Sequence, residues 1–157
     1  MAFPTREFML KLTKKADYGL IAMKHLAERD RDGACSAKDL AEAHGMPQEA
    51  LAKILQKLVK AKLLVSQYGT NGGYTLARSA ASITALEVIR AIEGPLFITS
   101  CVTERGECGR TERCTVREPL RQVSAGIQEV LSRITIADMA QDPQELVTIA
   151  SAISEIV

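Results

Sequence analysis

The sequence predicts a mostly α-helical fold with one small β-hairpin, in which a helix-turn-helix and a wing precede a long dimerisation helix. Three observations predict it. Two predicted helices are joined by a Gly-containing turn, and the second of them is rich in lysine and ends before residue 62. A Gly-rich hairpin follows at residues 63–76, and an apolar stripe occupies residues 116–134. We divide the chain into a winged helix-turn-helix, residues 10–80, and a second part with the dimerisation helices, residues 81–157.

The first two helices are predicted from their caps and their apolar spacing. Thr13 is a suitable N-cap for a helix that extends to about Arg29, with apolar residues recurring at helical intervals. Ser36, followed three residues later by Asp39, predicts a capping box for a short second helix. That helix is predicted to end at Gly45, because glycine readily adopts the left-handed conformation that terminates helices.

The third helix is predicted to begin at Pro47, since proline is favoured at the first helical position. Its buried stripe consists of Leu51, Ile54, Leu55 and Leu58. Its opposite face carries Lys53, Lys57 and Lys60. A short turn followed by a helix with a cationic outer face is typical of DNA-binding helix-turn-helix proteins. The alternative is a plain helical hairpin with solvated lysines.

The hairpin makes that alternative unfavourable. Residues 63–65 and 74–76 are predicted strands, and residues 68–73 form the tip between them. A helix-turn-helix followed by such a wing is typical of winged-helix proteins that bind double-stranded DNA, and backbone amides at Gly69, Gly72 and Gly73 suit phosphate contacts. The residues we expect to contact a DNA operator are Lys14, Gln48, Glu49, Lys53, Lys57, Tyr68, Thr70, Asn71 and Arg78.

The second part contains three further predicted helices. Thr84 and Glu87 form a capping box for a helix that stops at Gly94. The dimerisation helix carries its apolar stripe at Val116, Leu120, Val123, Ile127, Val130 and Ile134. Steps of three and four residues suit packing against the same helix of a second copy, which predicts a homodimer; packing on the chain's own core is the alternative. Thr135 with Asp138 caps a short turn, and residues 146–153 form a last amphipathic helix.

Three cysteines, Cys101, Cys108 and Cys114, lie close together in the second part, before the dimerisation helix. A structural zinc normally takes four nitrogen or sulfur ligands, and neither cysteine nor histidine follows Cys114. Three thiolates with a fourth ligand from elsewhere suit an iron–sulfur cluster of either two or four irons. Thiol oxidation without metal and a structural zinc remain alternatives. Cys35, His25 and His44 stand apart and are not expected to be ligands.

Composition limits the classes of function. The net charge is +1, but residues 1–80 carry 13 Lys/Arg against 8 Asp/Glu, and residues 81–157 carry 7 against 11. A basic part joined to an acidic part suits a nucleic-acid-binding module with a control module. We find neither a signal peptide nor a membrane span and expect a cytoplasmic protein. Without a recognisable catalytic motif or small-molecule substrate site, we expect a protein that is not an enzyme.

The chain resembles the family of winged-helix regulators that includes IscR, NsrR and CymR, and is most similar to regulators of SUF iron–sulfur cluster assembly. The residues that carry the resemblance are 12–18, 72–74, 86–89, 91–94 and the three cysteines. The resemblance implies a homodimeric transcription regulator, most simply a repressor, whose three cysteines ligate an iron–sulfur cluster that sets promoter affinity.

The chain departs from that family at several positions. Arg117 stands where IscR-like members have a histidine ligand, whereas Asp17 matches the aspartate that NsrR-like members contribute from the partner subunit. We therefore expect Asp17 as the fourth ligand; Glu104, Glu107 and Glu118 are local competitors, and a simple first-turn acid is the alternative for Asp17. Tyr68 replaces a minor-groove arginine of many relatives, and Ala50 and Ala52 replace polar base-contacting residues of IscR, so base contacts would fall to Gln48, Glu49 and Lys53.

Overall fold

The computed structural model describes residues 12–98 and 114–141. The helices are α1 (Lys14–Glu28), α2 (Ala37–His44), α3 (Gln48–Lys60), α4 (Ala85–Glu93), α5 (Arg117–Arg133) and α6 (Ile136–Ala140), and the strands are β1 (Leu64–Gln67) and β2 (Gly73–Leu76). A short 3-10 turn, Ala80–Ser82, precedes α4. The mostly helical fold with a two-stranded hairpin is thus confirmed. Cys101, Cys108 and the helix predicted at residues 146–153 lie outside the described residues.

The helix caps follow the local sequence closely. The Thr13 hydroxyl accepts a hydrogen bond from the Ala16 amide, as an N-cap should. At α2, the Ser36 hydroxyl accepts from the Asp39 amide, but the Asp39 carboxylate accepts from that same hydroxyl at 2.8 Å instead of completing a reciprocal capping box. The complete capping boxes are at α4, between Thr84 and Glu87, and at α6, between Thr135 and Asp138.

The end of α3 explains why β1 begins one residue later than predicted. Lys62 has a positive φ of 60°, its amide donates to Val59 O, and the Leu63 amide donates to Leu58 O. This is the hydrogen-bond pattern of a Schellman motif, here with lysine at the position usually taken by glycine. Leu63 therefore completes the helix end and packs in the core, and the strand starts at Leu64.

The wing is fastened to the helix-turn-helix by a backbone bridge. Strands β1 and β2 pair antiparallel, with Leu64 opposite Leu76 and Gln67 opposite Gly73. The Cys35 amide donates to Tyr74 O at 3.1 Å, and the Tyr74 amide donates to Cys35 O at 2.8 Å. Cys35, two residues before α2, thus pairs with β2. This pairing fixes the wing relative to the two helices of the DNA-binding motif.

One hydrophobic core joins the elements on both sides of residue 80. The buried stripe of α3 is confirmed at all four predicted positions, and it packs with Met23 and Leu26 of α1. Ile83, Val88 and Ile92 belong to the same core, as does the fully buried Ile136 of α6. The predicted division at residues 80 and 81 therefore does not coincide with a break in the packing. The α6 helix packs on α1, and its start is bridged to the segment just before α4, since the Ile136 amide donates to Ile83 O.

The α5 helix is the least buried of the long helices. It packs on α4, and Ser124, at 3% exposure, is the residue of this helix that is buried. Along the predicted dimer stripe, Val116 and Val123 are 56% and 53% exposed, and the other members are half-buried. Within residues 12–98 and 114–141, none of the helices combines the length and apolarity that crossing a bilayer would require.

Candidate nucleic-acid interface and cysteine segment

The outer face of α3 presents a polar surface at the predicted position of a recognition helix. Gln48 and Glu49 begin the helix and are exposed, and Lys53, Lys57 and Lys60 are exposed on the face opposite the leucine stripe. In helix-turn-helix proteins the first turns of the second helix reach the base edges in the major groove. The arrangement therefore suits base contacts from Gln48 and Glu49 with cationic support from Lys53.

Lys57 differs from the other lysines of α3, because its ammonium group forms a hydrogen bond with another helix of the same chain. Its Nζ donates a hydrogen bond to Ile92 O, in the last turn of α4, at 2.8 Å. The helical repeat places Lys57 about 40° around the helix from Lys53, toward α4. In the sequence the three lysines form one cationic face, whereas in the structure one of them has a partner on another helix.

The tip of the wing is fully accessible, but its amides are not all free. The Tyr68 side chain is 97% exposed, and Thr70 and Asn71 are also exposed. The Gly72 amide donates to Gly69 O at 3.0 Å within the turn. The Gly72 amide, which the sequence suggested for a phosphate contact, is therefore already used as a donor within the turn that shapes the tip. The side chains at the tip remain the groups that would reach DNA.

Arg78, at the base of the wing, is held by groups of its own chain. Its guanidinium donates to Ser82 O and forms an ion pair with Glu87. Burial acts to raise the pKa of Glu87, but hydrogen bonds from the Thr84 amide and from Arg78 outweigh it and leave that pKa below its ordinary value. Arg78 thus fastens the wing to the start of α4, and a phosphate contact by this side chain would compete with the ion pair.

The predicted DNA-contacting residue and the predicted fourth ligand of α1 lie on one exposed turn. Lys14 is the first residue of the helix, and Asp17 lies in its first turn; both side chains are exposed. The Asp17 amide donates to Thr13 O at 3.0 Å, so the backbone of this turn is regular. The Asp17 carboxylate is therefore accessible to a group outside the described part of its own subunit.

Of the three clustered cysteines, Cys114 lies in the described residues. It is half-buried and precedes α5 by three residues. The N-cap position, Val116, provides no side-chain hydrogen bond, so side chains do not cap the first amides of α5 there. Within residues 12–98 and 114–141, no group of three or more His, Cys, Asp or Glu side chains could hold a metal ion.

Cys35 has a structural role. It is 4% exposed, its backbone forms the bridge to Tyr74, and its thiol donates to Ser36 O at 3.8 Å. Burial raises the pKa of the Cys35 thiol, with the nearby Asp39 also raising it and Arg29 opposing. A buried protonated thiol is a poor metal ligand.

A pair of histidines, which the sequence analysis treated as isolated, links α1 to α2. His44 Nε2 lies 2.9 Å from His25 Nδ1, and the two rings meet edge to face. The other ring nitrogen of His25, Nε2, is buried and has no partner among the described residues. The residues are 19 positions apart, and each lies near the end of its own helix, so no local pattern in the sequence would have revealed the pair.

The histidine pair predicts that the protein loses stability in mild acid. Burial lowers the pKa of His25 below 6.5, with the charges of His44 and Arg29 lowering it further and Glu28 opposing. The unfolded chain therefore binds more protons than the folded chain below about pH 6.5, so folding free energy is lost as the pH falls from 6.5 through the lowered pKa. Thermal unfolding between pH 7.5 and 5 should show this loss, and it should be smaller in His25→Gln. Equal pH dependence in the two proteins would contradict the prediction.

The described geometry defines a class of protein. An exposed recognition helix, held by a three-helix core and followed by a two-stranded wing, is the arrangement of winged-helix DNA-binding transcription regulators. Residues 12–142 match the model of the Rrf2 family, described as an iron-dependent transcriptional regulator. The chain belongs to the Rrf2 family. It is a transcription regulator and not an enzyme.

Curated relatives and solved structures support this assignment over most of the chain. The chain is 31% identical over 137 residues to the HTH-type transcriptional regulator IscR of Vibrio campbellii, covering 87% of this chain and 81% of the relative. The structure of CymR, the global cysteine regulator of B. subtilis, superposes with a TM-score of 0.69 at 32% identity and covers 85% of this chain and 99% of CymR. T. potens IscR gives a TM-score of 0.67 at 34% identity, covering 83% and 85%.

Proposed function

We propose that this protein is a homodimeric repressor whose affinity for a double-stranded DNA operator is set by an iron–sulfur cluster on Cys101, Cys108 and Cys114. The observation that carries the proposal is the placement of three clustered cysteines directly behind a complete winged helix in a chain related to IscR. A repressor of this kind acts in the cytoplasm, where the chromosome is accessible and thiols stay reduced.

The chemistry of the cysteine segment fits such a cluster. Three thiolates supply most of the ligand set, and the uncapped start of α5, directly after Cys114, offers amides and a positive dipole end to an anionic group. When bound, the cluster would supply a labile, redox-active group whose state can change. The residues of this chain would then hold the cluster between the winged helix-turn-helix and the dimer helix.

Asp17 is our proposed fourth ligand, contributed by the partner subunit. Its carboxylate is exposed on the first turn of α1. The competitor Glu118 is already engaged: Arg121 donates two hydrogen bonds to its carboxylate, at 2.8 and 2.9 Å, and these bonds lower the pKa of Glu118. This ion pair is exposed and therefore weak, so the preference for Asp17 rests on the family resemblance.

The target genes follow from the resemblance to regulators of SUF cluster assembly. A regulator that carries the product of an assembly system can measure the supply of that product directly. We therefore propose that the cluster-loaded dimer represses cluster-assembly genes, and that loss of the cluster changes its affinity for their promoters. Cluster supply, iron, oxygen and nitric oxide are the candidate signals.

We expect anaerobically purified protein to absorb in the visible and to contain iron and sulfide in stoichiometric amounts. Alanine at Cys101, Cys108 or Cys114 should remove most of this absorbance while the circular dichroism of the winged helix is unchanged, because the core lies elsewhere. Cys35→Ala is the matched control and should keep the spectrum. Asp17→Ala should leave a smaller or more labile cluster.

Three results would overturn the cluster proposal. A colourless parent protein with free thiols would favour the thiol-oxidation alternative, and a colourless protein with bound zinc would favour a structural metal. A triple alanine variant that still binds stoichiometric iron and sulfide would show that the cysteines are not the ligands.

A further inference from the structure

The last turn of α4 is attached to both α1 and α3. The Thr13 hydroxyl, at the start of α1, donates a hydrogen bond to the Glu93 carboxylate. Gly19, in the middle of α1, has no room for a Cβ because the Ile92 side chain occupies that space, and Ile54 of α3 lies beside it. Hydrophobic packing and a polar contact thus hold the end of α4 against α1 and α3 of the winged helix-turn-helix.

Lys57 adds a charged contact from the recognition helix. The final carbonyls of a helix have no partners within the helix, and the helix dipole makes that end favourable for a cation. The Lys57 ammonium supplies such a partner to Ile92 O, at 2.8 Å. The lysine therefore joins α3 to the exact turn at which the chain leaves α4.

The chain that leaves this turn leads toward the cysteines. Gly94, with φ of 81°, ends the helix, and the following residues 95–98 precede Cys101 closely in sequence. On its other side this segment is tied to the dimer helix, because Gln128 Nε2 of α5 donates to Leu96 O at 3.0 Å and the Gln128 amide oxygen accepts from Arg90 of α4. A continuous set of contacts therefore runs from α5 through residues 94–96 and the end of α4 to α3.

We propose that Lys57 is a positioning residue that couples the segment before the cysteines to the recognition helix, rather than a DNA-contacting residue. This inference rests on the proposed function. A displacement of residues 94–98 would move Ile92 O, which accepts the hydrogen bond from Lys57. The position of α3 relative to the rest of the winged helix-turn-helix would change with it. Lys53, one turn earlier and about 40° around the helix from Lys57, has no such contact among the described residues and remains a candidate phosphate ligand.

The test compares Lys57→Met with Lys53→Met in the full-length protein. Methionine keeps most of the length of the lysine side chain but removes the ammonium group. The DNA probe is a duplex selected with the parent protein from a random-sequence pool. Affinity is measured over a range of salt concentrations, with and without the cluster, and amide hydrogen exchange is measured on the metal-free protein.

Lys57→Met should leave the slope of log affinity against log salt unchanged, because no phosphate contact is lost. Lys53→Met should flatten it by about 0.9. In Lys57→Met the Gly94 amide, which donates to Arg90 O, should exchange about fivefold faster or more. The ratio of affinities with and without the cluster should fall by about fivefold or more, toward one. Lys57→Arg, which retains a cationic donor, should restore the exchange rate and the ratio.

A flattened salt slope with an unchanged affinity ratio in Lys57→Met would overturn the inference and make Lys57 a phosphate contact. An unchanged Gly94 exchange rate would also overturn it. Failure of the parent protein to select any sequence, or a parent ratio of one, would instead refute the proposed function, so the two failures can be told apart.

Discussion

If the protein is the proposed homodimer, Ile127→Glu is expected to convert it into a monomer. Ile127 lies at the centre of the α5 stripe, half-buried in the single chain, with the 53% exposed Val123 one turn before it. If two copies pair along this stripe, the substitution places an unpaired carboxylate in a desolvated seam, which costs several kcal/mol. Operator affinity should fall by about 100-fold or more, because the two DNA-binding parts no longer bind as one unit.

Sedimentation and operator titration would measure the two effects. Ala125→Glu is the matched control: it adds the same charge to the same helix at an exposed position on the opposite side from the stripe. The control should remain dimeric and bind DNA as the parent does. An intact Ile127→Glu dimer would mean that the α5 stripe does not form the interface.

Gly73→Ala is expected to detach the wing from the helix-turn-helix. Gly73 has φ of 149°, and an added Cβ would lie 2.5 Å from the Cys35 carbonyl carbon and 2.8 Å from the Ser36 amide nitrogen. Backbone atoms cannot move aside as a flexible side chain would, so the two Cys35–Tyr74 hydrogen bonds should be lost. Together with about 1–3 kcal/mol of backbone strain, the loss should lower the free energy of unfolding by on the order of 3 kcal/mol.

Chemical denaturation and operator titration would test this prediction. Gly69→Ala provides the control, because Gly69 also has a positive φ, of 112°, but its Cβ would meet open space. That variant should lose on the order of 1 kcal/mol from strain alone. Similar losses in the two variants would show that contact with the residues around Cys35 does not decide the position of the wing.

The sequence by itself determined the elements that depend on neighbouring residues. The caps at Thr13 and Thr84 and the stripe from Leu51 to Leu58 are local patterns, in which each residue interacts with others three or four positions away. The helix-turn-helix with its wing, and through it the class of regulator, followed from the order of these local elements. The β1 start was missed because a lysine took the helix-terminating position that glycine usually marks.

The tertiary structure alone decided which polar side chains have partners within the chain. Lys53 and Lys57 are equivalent in the sequence pattern, but Ile92, 35 residues after Lys57, supplies the carbonyl that engages one of them. The same holds for Arg78, which Glu87 binds, and for His25, which His44 meets after the chain has turned. Periodicity and capping describe the backbone over one or two turns. The partners of long charged side chains depend on how separate elements pack, and that information becomes available only when the chain has folded.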